Sequence, residues 1–219
     1  MASAEPLLAR PAPRRLRHLS EEGTHQLKRF TYAASEESWA LDHIVAPICN
    51  QLVEVLPMWL APNLITVTGA ALVVLQFAGM WVVCPTMTEV PPAWLCFLGG
   101  LAIFTYLILD NTDGKQARRT GAASPLGLLF DHGLDAFLSP LGAINAMCLV
   151  RSGPGVRSLI IFLTVVTPFY CGTVDALFSG RMDLPALNGP TDGTLIVSAC
   201  FVGTGLVGWA WPAGYAGVW

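Results

Sequence analysis

The chain has 219 residues, of which 53% are hydrophobic and 12% charged, about half the charged share usual in a globular domain, and that argues against a soluble one. Twelve basic residues against fifteen acidic ones leave a formal charge of −3, so there is no broad basic surface of the kind that neutralises nucleic-acid phosphates, and nucleic acid is not an expected partner. Six cysteines (Cys49, Cys84, Cys96, Cys148, Cys171 and Cys200) are widely spaced, mostly within apolar runs and without a C-x-x-C pair, which argues against both a disulfide scaffold and a zinc site.

Residues 1–36 are rich in Arg, Pro, Ser and Glu and are predicted to be a flexible polar tail. No apolar core follows Arg10–Arg17, so the tail does not read as a signal peptide. From Trp39 to Leu60 apolar residues mix with Asp42, His43 and Glu54, which suits an amphipathic helix lying along a membrane interface, within residues 37–62. Pro57 and Pro62 are expected to break that helix.

Five long stretches then follow with few or no charges, at Asn63–Cys84, Pro92–Leu109, Ser124–Val150, Arg157–Phe178 and Thr194–Trp211. A helix needs about 20 mostly apolar residues to cross a bilayer. The predicted fold is therefore all-α, a polytopic membrane bundle of about five spans over residues 63–219. Trp81, Trp94, Trp209 and Trp211 fall near predicted span ends, as an interfacial belt requires. With alternating spans, Arg10, Arg14, Arg15, Arg17, Lys28, Arg29, Lys115, Arg118, Arg119 and Arg181 share one face, and Arg151 and Arg157 lie on the other. The positive-inside rule makes the first face cytoplasmic.

The third span is impure, and the impurity carries the chemistry. Asp110 and Asp113 are three residues apart, Asp131 and Asp135 four apart, so each pair shares one helical face. Thirteen residues, Asn111–Ala123, are expected to connect the two spans. If these helices are antiparallel neighbours, the four carboxylates converge into a cage for Mg²⁺ or Mn²⁺, and a cluster this acidic can hold two ions. Gly114 permits close backbone approach, Arg118 can hold a phosphate bidentately, and Lys115 or Arg119 can add charge. The bland alternative is a structural ion-pair network with Arg118 and Arg119, or an ion pathway.

The run Asp110-x-x-Asp113-Gly114-x-x-Ala117-Arg118, followed by Gly127-x-x-x-Asp131-x-x-x-Asp135, resembles the signature of the CDP-alcohol phosphotransferases, with every motif position occupied. DNTDGKQARRTG, SPLG and LFDHG are similar to the eukaryotic choline/ethanolamine phosphotransferases, and NGPTDG at residues 188–193 to the plant and algal enzymes, where Glu is usual in place of Asp192. The resemblance implies transfer of phosphocholine or phosphoethanolamine from CDP-choline or CDP-ethanolamine to diacylglycerol, with release of CMP. It implies an integral protein of the endoplasmic reticulum or Golgi bilayer, a homodimer, with its active site facing the cytosol.

By the same resemblance Asp110, Asp113, Asp131 and Asp135 hold two divalent ions, Gly114, Ala117 and Arg118 contact nucleotide or phosphates, and Asn63 and Thr66 belong to a cytidine pocket. The base is either Asp135 or His132; a carboxylate bound to two cations is a poor base, which argues for His132. Asp192 would orient that imidazole or meet the cationic head group, or else cap the fifth span. Asn63 would otherwise cap the first span, and His132 merely hydrogen-bond a neighbour. Choline/ethanolamine enzymes continue well past a fifth span, so the chain is expected to be C-terminally truncated, which raises an inactive subunit as an alternative. A membrane prenyltransferase also uses paired aspartates, but lacks the Asp-Gly-x-x-Ala-Arg segment.

Overall fold

The computed structural model describes residues 34–210, with side chains to residue 208, together with Ser20, Glu22, Gly23, His25 and Leu27. The chain divides into two units, Met1–Thr31 and Tyr32–Trp219. In the first, the Gly23 N–H donates to Ser20 Oγ at 2.9 Å. The flexibility expected of the tail, its basic residues and the place of Trp211 lie outside the described residues, as does the side chain of Trp209.

The second unit runs β1 (Ala34–Glu36), a π-helical turn (Leu41–Val45), α1 (Ala46–Val55), α2 (Pro62–Val83), α3 (Ala93–Thr120), α4 (Pro125–Leu149), α5 (Val156–Ser179), β2 (Met182–Leu184), a second π-helical turn (Gly189–Gly193) and α6 (Thr194–Ala210). Residues 34–36, read from the sequence as the end of the tail, instead form β1, parallel to β2 with Ser35 opposite Asp183.

Prolines set the first boundaries. Pro47 has no N–H and crowds the carbonyl four residues back, and the widened turn ahead of it, in which the Ala46 N–H bonds to Leu41 O, relieves that crowding. The helix ends at Val55. Pro62 does not break it but starts α2 at the first helical position, where a missing N–H costs nothing.

The second span continues as helix to Thr120, so the thirteen-residue connection shrinks to Gly121–Ser124. No proline interrupts residues 110–120, and Asn111, Thr112 and Thr120 fold their side chains back onto the carbonyls four residues earlier at 2.9, 2.6 and 2.8 Å. The helix stops where Gly121 takes a φ of 68°, the left-handed cap that glycine accepts without steric cost. Ser124 then caps α4 by accepting from the Gly127 N–H at 3.1 Å.

Four segments are long and apolar enough to cross a membrane: α2, α3, α5 and Gly189–Gly208. α4 is not among them, because Asp131, His132, Asp135 and Ser139 interrupt its apolar surface. It nevertheless runs from one end of the bundle to the other. Beyond its C-terminus the Arg151 Nε donates to Thr88 O at 2.8 Å and the Gly153 N–H to Met87 O at 2.9 Å, which ties that end to the α2–α3 loop. Its 25 residues span about 37 Å at 1.5 Å per residue. The protein is thus an all-α polytopic membrane bundle, with Trp81 and Trp94 exposed at the ends of α2 and α3.

α3 is the centre of the bundle, packed against α1, α2 and α6. Its contact with α6 is backbone against backbone: a Cβ on Gly100 would lie 2.7 Å from Ser198 O, and one on Gly205 would lie 2.6 Å from Phe97 N. Ser198 Oγ donates to Gly100 O at 2.8 Å. Small residues allow this approach, and in lipid such close packing replaces the hydrophobic gain that water would supply.

Candidate active site

Asp110 and Asp113 lie on the last turns of α3, and Asp131 and Asp135 on the second and third turns of α4. The short Gly121–Ser124 turn joins the two helices, but they do not pack along each other as direct neighbours: α4 packs on α2 and α5, and the acids of α3 and α4 reach across to one another. Among the described residues, Asp110, Asp113 and Asp131 each offer a carboxylate oxygen, and those oxygens lie within 4.8 Å of one another. Two like charges about 5 Å apart repel by roughly 3 kcal/mol at an effective dielectric constant near 20, so three of them require compensating cations or protons. Asp110 Oδ1 and Asp131 Oδ1 are buried and no protein donor reaches them. Buried oxygens left in this way fit a hard divalent cation, which prefers carboxylate ligands.

Two neighbouring hydroxyls aim the carboxylates. Thr66, on the first turns of α2, donates to Asp113 Oδ2, and Tyr106 of α3 donates to Asp135 Oδ1. Asp135 lies outside the three-carboxylate group, although the sequence spacing places it beside them, and the phenol engages only one of its two oxygens. His132 is half-buried on α4 and interacts electrostatically with Asp135.

The remaining motif residues divide. The Arg118 guanidinium folds over Gly114, where an added Cβ would find Nη1 at 3.6 Å, and it acts electrostatically on Asp113. Ala117 is half-buried one turn beyond Asp113. Asn63 is exposed, with its Oδ1 3.8 Å from where a Cβ on Gly127 would sit, so it faces the start of α4. It does not cap α2, because Ala61 occupies that position.

Arg119 departs from the charge role read for it. Its guanidinium donates to the carbonyls of Val53, Leu56 and Glu54 at 2.6, 2.7 and 3.3 Å, capping α1. Gln116 likewise donates to Pro57 O at 3.0 Å. The bland reading, in which Arg118 and Arg119 neutralise the acids as ion pairs, finds no Arg–Asp salt bridge at this cluster among the described residues.

Asp192 also departs from expectation. It accepts from Ser38 Oγ and from the Asn188 N–H, both at 3.1 Å, so both oxygens are engaged in a latch between the segment after β1 and the π-helical turn before α6. The cap of the turn preceding α6 is Asn188, which accepts from the Thr191 N–H at 2.8 Å. Near the latch, Ser35 and Arg181 hold the Asp183 carboxyl below the usual carboxylate range.

Sequence reasoning missed Tyr106, Gln116 and Ser38. Tyr106 had a signal: it precedes Asp110 by four residues and so shares its helical face. Ser38 had none, since its partner is 154 residues away.

The profile of the CDP-alcohol phosphatidyltransferase family matches residues 59–214, well over half of the chain. Choline/ethanolaminephosphotransferase 1 of Arabidopsis thaliana is 34% identical over 200 residues, which cover 90% of this chain and 50% of that protein. Cholinephosphotransferase 1 of Xenopus laevis is 35% identical over 212 residues, 95% of this chain and 52% of that one. Cholinephosphotransferase 1 of Rattus norvegicus is 39% identical over 177 residues, 78% and 44%. The chain thus spans about half the length of these relatives. The matched segment contains all four aspartates and their arginine, and leaves the prenyltransferase alternative without support. On that match, this chain belongs to the CDP-alcohol phosphatidyltransferase family.

Proposed function

We propose that the protein transfers phosphocholine or phosphoethanolamine from the CDP-alcohol to diacylglycerol and releases CMP. The observation that carries the reading is the convergence of Asp110, Asp113 and Asp131 from two helices, with two buried oxygens that no protein donor satisfies, at one end of an apolar bundle. A water-soluble nucleotide and a lipid-dissolved alcohol can both arrive at such an end. The names of the relatives, choline/ethanolaminephosphotransferase and cholinephosphotransferase, supply the substrate class.

In this reading Asp110, Asp113, Asp131 and Asp135 hold two Mg²⁺ or Mn²⁺ ions. Bound there, divalent ions offset the negative charge of the pyrophosphate and of the departing CMP. Arg118, which has no carboxylate salt bridge among the described residues, offers a phosphate two parallel N–H donors beside Gly114. Thr66 acts through Asp113, whose oxygen it fixes, and Asn63 lines the nucleotide side of the pocket with Ala117. His132 accepts the diacylglycerol hydroxyl proton; the freed oxygen bonds to the phosphorus that carries the amino alcohol as its bond to the CMP oxygen breaks. Products and proton balance, with one phosphodiester formed and CMP released.

Lys115, Arg118 and Arg119 on the last turns of α3 and Arg181 just after α5 lie at the acid-bearing end, and Arg151 and Arg157 at the opposite one. Under the positive-inside rule the site faces the cytosol, in the endoplasmic reticulum or Golgi membrane, and the working form is a homodimer. The test is Mg²⁺-dependent CMP release by membranes carrying this chain, supplied with diacylglycerol and either CDP-choline or CDP-ethanolamine, with EDTA as control. Release that Asp113→Asn abolishes, without loss of folded protein, is the expected result. No release with either donor, or full activity in that variant, overturns the reading.

A further inference from the structure

The hydroxyl of Tyr106 reaches across from α3 to α4 and donates to Asp135 Oδ1. The ring that carries it is wedged between helices. On one side it lies against the α2 backbone, where a Cβ on Gly69 would sit 3.3 Å from Tyr106 Cδ2 and 3.5 Å from Tyr106 Cα. It also packs with Ala70 and Val73 of α2 and, toward α4, with Leu138. A phenol held in this way has few positions available to its oxygen, because the ring cannot swing without displacing α2.

Asp135, by contrast, has a short side chain on a helix face that also carries Asp131 one turn earlier. Without a partner its carboxylate could rotate either oxygen toward the other three acids. Like-charge repulsion would favour turning away from them. With Oδ1 engaged by the phenol, Oδ2 is the oxygen left for an ion.

We propose that Tyr106 is a positioning residue for this site: its hydroxyl fixes the Asp135 carboxylate so that one defined oxygen completes the divalent-cation cage begun by Asp110, Asp113 and Asp131. The inference rests on the cage reading given above. Outer partners of metal ligands typically alter metal affinity or activity by 10–100-fold, and Tyr106 meets the geometric description of one.

The experiment is Mn²⁺ binding by the purified full chain in nanodiscs, followed by electron paramagnetic resonance, for the unaltered protein, Tyr106→Phe and Asp113→Asn. Phenylalanine keeps the wedged ring and removes only the donor, so packing alone cannot produce a difference. We expect Tyr106→Phe to weaken Mn²⁺ binding by roughly 10-fold, with an unchanged melting temperature, and to lose turnover at low Mg²⁺ that excess Mg²⁺ restores. Asp113→Asn should weaken binding at least as much. Binding within twofold of the unaltered protein in Tyr106→Phe, while Asp113→Asn loses it, overturns the role of Tyr106 and leaves the cage standing. Absence of Mn²⁺ binding in the unaltered protein overturns the cage and this inference together.

Discussion

The guanidinium of Arg119 donates to the main-chain carbonyl of Val53 at 2.6 Å, joining the end of the acid-bearing helix α3 to the end of α1. Its neighbour Arg118 instead lies over Gly114. Adjacent arginines in one motif thus do different work, because residues one apart on a helix point about 100° away from each other. Arg119→Ala leaves three carbonyls at the C-terminal end of α1, those of Val53, Glu54 and the capping Leu56, without that donor and should lower stability by about 1–2 kcal/mol, while the KM for the CDP-alcohol stays within twofold. Arg118→Ala should do the reverse. Thermal unfolding in detergent beside steady-state kinetics separates the two; matching profiles would refute the division.

The contact between α3 and α6 predicts a steep dependence on one hydrogen atom. Gly100→Ala would place a Cβ 2.6 Å from Val202 Cγ2 and 2.7 Å from Ser198 O, and since backbone cannot yield as a side-chain tip does, the cost should be about 1–3 kcal/mol. Gly203→Ala, with nothing within 4 Å of its added Cβ, is the control. Equal melting temperatures for the two variants would show that the helices do not approach this closely.

Deep in the bundle, Asn145 of α4 donates to Gln76 of α2, both buried, and Gln76 Nε2 and Asn145 Oδ1 have no further protein partner. Removing one amide strands the other, at about 1–3 kcal/mol, whereas removing both is nearly neutral. Asn145→Leu should therefore destabilise the protein, and the Gln76→Leu/Asn145→Leu pair should recover much of the loss. A double-mutant cycle on unfolding in detergent checks this; additive losses would mean that the two amides do not interact.

Asp183 predicts a pH dependence outside the membrane. Ser35 and Arg181 depress its folded value below the ordinary 3.8, so its contribution is complete above that value and is lost as pH falls through the folded one. The melting-temperature gap between the unaltered protein and Asp183→Asn should be present at pH about 6 and shrink below pH about 4. A gap of constant size would remove Asp183 from the β1–β2 pairing.

How much of this was legible in the sequence follows from the range of each interaction. Apolar runs marked five helices because membrane crossing is a demand on composition over about 20 consecutive residues. The spacing of Asp110 with Asp113 and of Asp131 with Asp135 marked two helical faces, since that periodicity is local. The extension of α3 to Thr120 was not legible, because polar residues read as loop when their side chains can instead bond back along the helix.

Partner choice lay beyond reach for a different reason. That Tyr106 meets Asp135, that Arg119 serves α1 while Arg118 does not, and that Ser38 holds Asp192 across 154 residues all depend on how α2, α3 and α4 cross and how the loops close. Those crossings are set by contacts such as Gly69 against Tyr106 and Gly100 against Ser198, in which one missing methyl group decides how closely two backbones approach. The sequence by itself determined the elements, their order and the acids they carry; only the tertiary structure decided which oxygen each acid has left to offer, because that depends on donors brought in from other helices.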